Sequence, residues 1–173
     1  MLVTQQEQLH AEVTALVDRL GPGRSSIIPI LQEVKRQYQG IDSDAMQIVA
    51  DLLDIHPVEV YGVATFYAFL NPAAQGQFVV RLCRTISCEL AGKDAIARQL
   101  ENELGIAFGE TSKDGRFTLE WANCMGMCDQ GPALLVNERV YTRVTHETVG
   151  EIAADCRAAH DEHAAERREG YLV

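Results

Sequence analysis

The chain has 173 residues, of which 47% are hydrophobic and 23% are charged, and this composition is typical of a folded protein rather than a disordered one. Its 25 acidic residues outnumber its 15 basic residues, so the formal net charge of −10 would repel a nucleic-acid backbone. The longest nearly apolar stretch, residues 61–70, is far shorter than the ~20 residues that a spanning helix needs. We therefore expect neither nucleic-acid binding nor membrane insertion.

The first part of the sequence has the periodicity of short helices. Apolar residues spaced three and four apart predict a first helix that stops at residues 21–23 and a second that ends at Gly40. A third helix is predicted to be capped by Ser43, and Pro57 lies where the first turn of a fourth helix would start. Residues 4 to about 68 are thus predicted to form a small all-helical unit.

The periodicity changes from helical to strand-like after a connector rich in turn residues, Asn71 to Gly76. This change predicts a helical bundle domain at residues 1–72 and a second domain at residues 77–173. The second domain is predicted to contain a strand at 78–83, a helix at 91–104, a strand at 117–121, a hairpin at 133–141 and a final helix capped by Thr145. This is the order of a thioredoxin-like unit. The predicted fold class is α+β, with a helical bundle followed by a thioredoxin-like α/β domain that has a mixed sheet.

Four of the five cysteines form two close pairs, Cys83 with Cys88 and Cys124 with Cys128. Each pair comes just after a predicted strand, and in a thioredoxin-like sheet both strand ends could emerge at the same edge. The first residues do not have the pattern of a secretory signal, so we expect a reducing cytoplasm, where clustered thiols are more often metal ligands or redox groups than disulfides. Cys156 lies on the predicted buried face of the last helix and is left out of the site.

Three kinds of site use clustered cysteines, and the spacing helps to choose among them. Structural zinc favours two Cys-x-x-Cys knuckles, whereas the gaps here are four and three residues. A 2Fe-2S cluster is held by four thiolates, and a four-residue gap occurs in plant-type ferredoxins. A thiol-disulfide enzyme would need Cys-x-x-Cys at the start of a helix, and the sequence lacks that motif. A 2Fe-2S site is therefore favoured, and the zinc-stapled adaptor and the thiol-disulfide enzyme remain as alternatives.

Several motifs together resemble a known family. They are Tyr61–Tyr67 (Tyr-Gly-Val-Ala-Thr-Phe-Tyr), Cys83-x4-Cys88, Asp114–Leu119 (Asp-Gly-Arg-Phe-Thr-Leu) and Cys124-x-Gly-x-Cys128 followed by Gly131-Pro132. In this order they resemble the small thioredoxin-like ferredoxin subunit of the NADH-oxidising module of respiratory complex I. Relatives of that subunit also serve NAD-linked hydrogenases and NAD-dependent formate dehydrogenases. The resemblance runs from about Ile27 to Cys156.

The resemblance implies an electron-transfer subunit without a substrate site of its own. It implies one 2Fe-2S cluster per chain, held by the positions that match the ligands of the family, which are Cys83, Cys88, Cys124 and Cys128. It also implies a flavoprotein partner subunit that carries FMN, the NAD(H) site and a further iron-sulfur cluster, and further iron-sulfur, hydrogenase or dehydrogenase subunits. The expected location is the cytoplasm or the cytoplasmic face of a membrane as part of a larger complex. The motifs are shared by all these complexes and leave the parent complex open.

Overall fold

The computed structural model describes residues 5–169, with side chains described for residues 6–160. The chain divides into two compact units between Ala74 and Gln75, within the predicted connector. The first unit is helical and the second contains a four-stranded mixed sheet. The predicted α+β fold class is therefore confirmed. The outer limits of the predicted domains, residues 1 and 173, lie outside the described residues.

The first unit consists of four helices around one apolar core. The helices are α1 (Gln5–Leu20), α2 (Ile27–Tyr38), α3 (Ser43–Leu52) and α4 (Pro57–Phe66), with a 3₁₀ turn at Arg24–Ser26 before α2. Their inward faces supply the core, whose fully buried side chains include Val13, Ile30, Leu31, Val49, Val60 and Leu70. Burial of these apolar faces is the main source of stability in helices this short, because short helices are marginal in isolation.

Two helix ends differ from the prediction. Helix α3 is capped by Asp42 and not by Ser43, since the Asp42 carboxylate accepts a hydrogen bond of 2.8 Å from the Ala45 N–H group. Helix α2 ends in the left-handed conformation at Gln39, with φ of 61°, and not at Gly40. Gly40 has a packing role instead, because a Cβ atom there would lie 3.3 Å from the Cα atom of Ala74.

The second unit alternates strands and helices in the predicted order. Its elements are β1 (Phe78–Cys83), α5 (Ile86–Leu90), α6 (Lys93–Leu104), β2 (Phe117–Ala122), a 3₁₀ turn (Cys128–Gln130), β3 (Leu134–Val136), β4 (Arg139–Tyr141) and α7 (His146–Glu169). The predicted helix at 91–104 begins later, at Lys93. The five-residue helix α5 was not predicted because it is too short to show a periodicity, and Gly92, with φ of 93°, separates it from α6.

The sheet has the strand order β2-β1-β3-β4. Strands β1 and β2 are parallel, and their register runs from Phe78 opposite Phe117 to Cys83 opposite Ala122. Strand β3 is antiparallel to both β1 and β4. Helices α6 and α7 pack together, and their apolar faces join the sheet residues in a second core that includes Leu82, Leu100, Leu119, Leu134, Val149 and Ile152. No helix in the described part of the chain has the length and apolar character to cross a membrane.

Candidate metal centre

The parallel pairing of β1 and β2 brings the two cysteine loops to the same end of the sheet, where both strands finish. Cys83 is the last residue of β1, and its register partner Ala122 is the last residue of β2. Cys124 follows two residues later along the chain. The backbone ties the strand ends together, because the Arg84 N–H group donates a hydrogen bond of 2.9 Å to the Ala122 carbonyl oxygen. Both loops therefore start from the same place.

The second cysteine of each pair lies on a short helical turn. Cys88 is on α5, Cys128 begins the 3₁₀ turn, and these two turns are in contact. Gly131 follows the 3₁₀ turn, and a Cβ atom at this position would lie 3.1 Å from Ala91 Cβ and 3.5 Å from Cys88 Sγ. A side chain at position 131 would therefore press on Ala91 and fill the space next to the thiol. Glycine keeps the space beside Cys88 open.

The site has a buried inner pair and an exposed outer pair of cysteines. Cys83 and Cys88 are only 2% and 1% exposed, and they pack with Ala133 and the partly buried Met125 and Met127. Cys124 and Cys128 are exposed, and their Sγ atoms lie 3.3 Å apart. One side of the site is thus enclosed by apolar side chains, and the other side is open to an approaching molecule.

Hydrogen bonds reach the sulfur atoms from neighbouring backbone and side-chain groups. The Thr85 hydroxyl group lies 3.1 Å from Cys83 Sγ, and the Gly126 N–H group donates to Cys124 Sγ at 3.5 Å. Gly126 is the glycine of the Cys124-x-Gly-x-Cys128 motif. Thr85 was not singled out from the sequence, although it lies inside the first cysteine motif, where a short polar residue is a usable signal. Groups that donate to a sulfur stabilise its negative charge.

The environment shifts the pKa values of the four thiols in opposite directions within each pair. Burial acts to raise the pKa of Cys83, but hydrogen bonds from Thr85, Cys88 and Met125 outweigh it and lower that pKa. Burial dominates at Cys88 and raises its pKa. In the outer pair, the Gly126 N–H group lowers the pKa of Cys124, and the hydrogen bond and charge of Cys124 raise the pKa of Cys128. Each pair therefore contains one thiol whose pKa is lowered and one whose pKa is raised, and the thiolate is the form that binds metal.

The arrangement fits a centre with more than one metal ion better than a single ion. The four thiols lie close enough to affect one another, since the charge of Cys83 acts to raise the pKa values of Cys88, Cys124 and Cys128. However, no group of three or more His, Cys, Asp or Glu side chains among the described residues could hold a single metal ion. Two thiolates on one tetrahedral metal lie about 3.8 Å apart, close to the separation in the outer pair. The donors of both pairs are all soft sulfur atoms, which iron-sulfur centres use.

Comparison with known proteins gives an independent result. A family described as thioredoxin-like [2Fe-2S] ferredoxin matches residues 13–157. One of the subunits of NADH-quinone oxidoreductase from Rhizobium meliloti is 32% identical over 165 residues, which cover 95% of this chain and 96% of the relative. The HndA subunit of the NADP-reducing hydrogenase from Solidesulfovibrio fructosivorans is 28% identical over 149 residues, which cover 86% of this chain and 87% of the relative. Both relatives match along nearly their whole length.

The fold is also similar to a solved structure of a hydrogenase. The crystal structure of NAD+-reducing [NiFe]-hydrogenase in the air-oxidized state matches with a TM-score of 0.66 and 23% sequence identity. The match covers 75% of this chain and 23% of the hydrogenase chain. The chain thus spans about a quarter of that solved chain, and at this identity the similarity concerns the fold alone.

Proposed function

Because the chain belongs to the thioredoxin-like [2Fe-2S] ferredoxin family, we propose that Cys83, Cys88, Cys124 and Cys128 hold one 2Fe-2S cluster and that the chain is the electron-transfer subunit of an NAD(P)-linked oxidoreductase complex. The observation that carries the proposal is the meeting of two cysteine pairs at the shared end of β1 and β2. When bound, such a cluster takes up and releases single electrons.

The residues around the cysteines suit this group. Cys83 and Cys88 would bind from the enclosed side, where apolar neighbours exclude water from the sulfur atoms. Cys124 and Cys128 would bind from the exposed side. Thr85 and Gly126 would donate hydrogen bonds to sulfur, which supports the more negative reduced state. The chain itself thus provides both the ligands and the groups that tune the reduction potential.

The two alternatives receive less support. A zinc-stapled adaptor needs four ligands around one ion, and the described side chains offer no such group. A thiol-disulfide enzyme could use the close sulfur atoms of Cys124 and Cys128, but it would leave the buried Cys83 and Cys88 without a role. The matching family and relatives also do not favour either alternative.

The proposed partner is a flavoprotein subunit that carries FMN, the NAD(H) site and a further iron-sulfur cluster. NAD(H) exchanges two electrons as a hydride, whereas an iron-sulfur centre exchanges one electron at a time, so a flavin must stand between them. The names of the relatives support membership of a larger assembly, since both are subunits of NADH- or NADP-linked oxidoreductases. Further iron-sulfur, hydrogenase or dehydrogenase subunits complete the proposed assembly. We place it in the cytoplasm or at the cytoplasmic face of a membrane, where cysteine ligands stay reduced.

The test is electron transfer from NADH or NADPH with and without the partner. The cluster-loaded chain is mixed under anaerobic conditions with an FMN-containing, NAD(H)-binding flavoprotein subunit that co-purifies with it, and the visible absorbance of the cluster is followed. We expect reduction only when both the nicotinamide cofactor and the flavoprotein are present. Rapid reduction by the cofactor alone, or no reduction in the complete mixture, would contradict the proposed function.

A further inference from the structure

Lys93 is a buried lysine in the second unit. Its side chain is only 10% exposed, although lysine is rarely buried unless it is paired. It is the first residue of α6, where the helix dipole disfavours a positive charge. Neither helix stability nor core packing explains a buried ammonium group at this position. Its contacts give a different explanation.

The ammonium group of Lys93 contacts three side chains on three elements. Its Nζ atom lies 2.7 Å from Asp94 Oδ1, 3.6 Å from Glu89 Oε2 and 5.6 Å from the ring centroid of Trp121. The hydrogen bond that it donates to Asp94 raises the pKa of Lys93, so the group stays protonated. Asp94 and Glu89 are at least half exposed, and ion pairs with exposed carboxylates contribute little to stability. The contact with the indole ring is a cation–π interaction within the usual distance limit.

Two of the three contacts, those with Glu89 and Trp121, join the elements that carry or lead to the cysteines. Glu89 is on α5 next to Cys88, and Trp121 is near the end of β2, three residues before Cys124. Trp121 is itself held in place, because it stacks on Phe108 with 3.8 Å between ring centroids and an interplanar angle of 11°. A single ammonium group therefore connects the helix that carries Cys88 to the strand that leads to Cys124.

We infer that Lys93 is a positioning residue that holds α5 against the end of β2 and thereby fixes the separation of the inner and outer cysteine pairs. This inference rests on the proposed function, because the separation of the pairs matters only when all four thiolates bind one group. Lys93 touches none of the four sulfur atoms in a described contact and acts through Glu89 and Trp121. It differs in this respect from Thr85, which contacts Cys83 directly.

The test compares Lys93→Met, Lys93→Arg and the control Lys113→Met in the full chain. The control removes the same charge from an exposed lysine in the loop before Asp114. The first readout is the rate at which an iron chelator removes the cluster under native conditions. Loss of a group that orients metal ligands weakens a site by about tenfold or more, so we expect Lys93→Met to lose its cluster about tenfold faster than the control. Lys93→Arg keeps the charge and the ring contact, and we expect it to restore most of the wild-type rate.

A second readout separates positioning from general stability. Trp121 is the only tryptophan of the chain, so its fluorescence reports the Lys93 contact directly, also in the metal-free full chain. We expect an altered emission maximum in Lys93→Met and not in Lys113→Met. The EPR spectrum of the reduced, cluster-loaded variant should also broaden, because the ligand geometry becomes less uniform.

Several results would overturn the inference. One is a Lys93→Met protein with the chelation rate and Trp121 emission of the control. If Lys93→Met does not fold, Trp121→Phe weakens the cation–π contact while keeping an aromatic ring on Phe108, and a wild-type chelation rate in that variant overturns the inference as well. A wild-type chain that binds no cluster contradicts the proposed function, and unchanged emission of metal-free Lys93→Met then separately overturns the Lys93 contact.

Discussion

Cys83 and Ala122 are register partners at the same end of the parallel strands β1 and β2. The backbone at Cys83 is also bound on its other side, where its N–H group donates a hydrogen bond of 3.1 Å to the carbonyl oxygen of Ala133. Cys83 is thus fixed between Ala122 and Ala133, the residues at the start and the end of the loop that carries Cys124 and Cys128. The candidate site depends on this arrangement, because it lets two distant parts of the sequence face the same group.

Replacement of single cysteines should distinguish the four proposed cluster ligands from Cys156, which is not a proposed ligand. We expect alanine at Cys83, Cys88, Cys124 or Cys128 to abolish the visible absorbance of the cluster, since each is one of four thiolate ligands. Cys156 is the matched control. It is buried in the second core on α7, and burial raises the pKa of its thiol. Cys156→Ala should keep the full absorbance spectrum. A colourless Cys156→Ala protein that is still folded, or a Cys83→Ala protein with an unchanged spectrum, would exclude our ligand set.

Removal of the Thr85 hydroxyl should make the bound cluster harder to reduce. In Thr85→Val the side chain keeps its shape but no longer donates to Cys83 Sγ. A hydrogen bond to a charged group is worth about 1.5–3 kcal/mol, and if a third to a half of this acts on the reduced state only, the midpoint potential falls by about 20–60 mV. The measurement is an EPR-monitored redox titration. Thr14→Val is the control, because the Thr14 hydroxyl binds only the His10 carbonyl and ring within α1. A rise in potential for Thr85→Val would contradict the assigned role.

Gly76 should tolerate no side chain. A Cβ atom at Gly76 would lie 2.7 Å from backbone atoms of Phe117, and the Gly76 N–H group donates a buried hydrogen bond of 2.6 Å to the Thr118 hydroxyl. We expect Gly76→Ala to lower the free energy of unfolding by about 1–3 kcal/mol, because backbone cannot move aside as a side chain can. Gly150→Ala, in α7 with open space at its Cβ position, should instead raise it by about 0.5–1 kcal/mol. Urea unfolding of both variants checks this, and equal effects would show that the close approach at Gly76 is absent in solution.

The hydroxyl of Tyr38 should ionise at a higher pH than an ordinary tyrosine. Burial raises the pKa of Tyr38 to about 12, and the hydrogen bond that its hydroxyl donates to Glu12 adds to the effect. Because the folded-state pKa lies above the ordinary value of 10.0, the Tyr38 contribution to stability is complete below pH 10 and is lost as the pH rises from 10 to about 12. An ultraviolet absorbance titration of wild type and Tyr38→Phe isolates this step. If the two curves differ by a tyrosine that ionises near pH 10, the burial of Tyr38 is not as described.

Much of the fold could be predicted because its signals are local. The alternation of apolar and polar residues in β2 and the apolar spacing in α1 to α3 identify elements that are long enough to show a periodicity. Strand β1 is instead recognised as a short run of mostly apolar residues after the connector. Helix α5 has five residues and could not be found in this way. The cap of α3 was assigned to Ser43 when the adjacent Asp42 is used, since two neighbouring residues of similar capping strength cannot be ranked without the backbone geometry.

The candidate site was only partly accessible to sequence reasoning. The four thiols stand out in the sequence because they form two pairs, and the members of each pair are separated by only four or three residues, which keeps them close in space. The sequence has no equivalent signal for Lys93, which meets Trp121 from a different element. Gly131 belongs to a motif that the sequence shows, but the reason for a glycine there, the close approach of Ala91, is seen only in the structure. Such residues become visible only when the tertiary contacts are known.

The most direct test of the proposed cluster is the iron, zinc and acid-labile sulfide content of the anaerobically purified chain, combined with its EPR spectrum before and after reduction by dithionite. We predict about two iron and two sulfide ions per chain, no zinc, and a paramagnetic signal that is present only in the reduced protein. A folded chain with one zinc ion, or with no metal and no signal after anaerobic reconstitution with iron and sulfide, would contradict the assignment of Cys83, Cys88, Cys124 and Cys128 as ligands of a 2Fe-2S cluster.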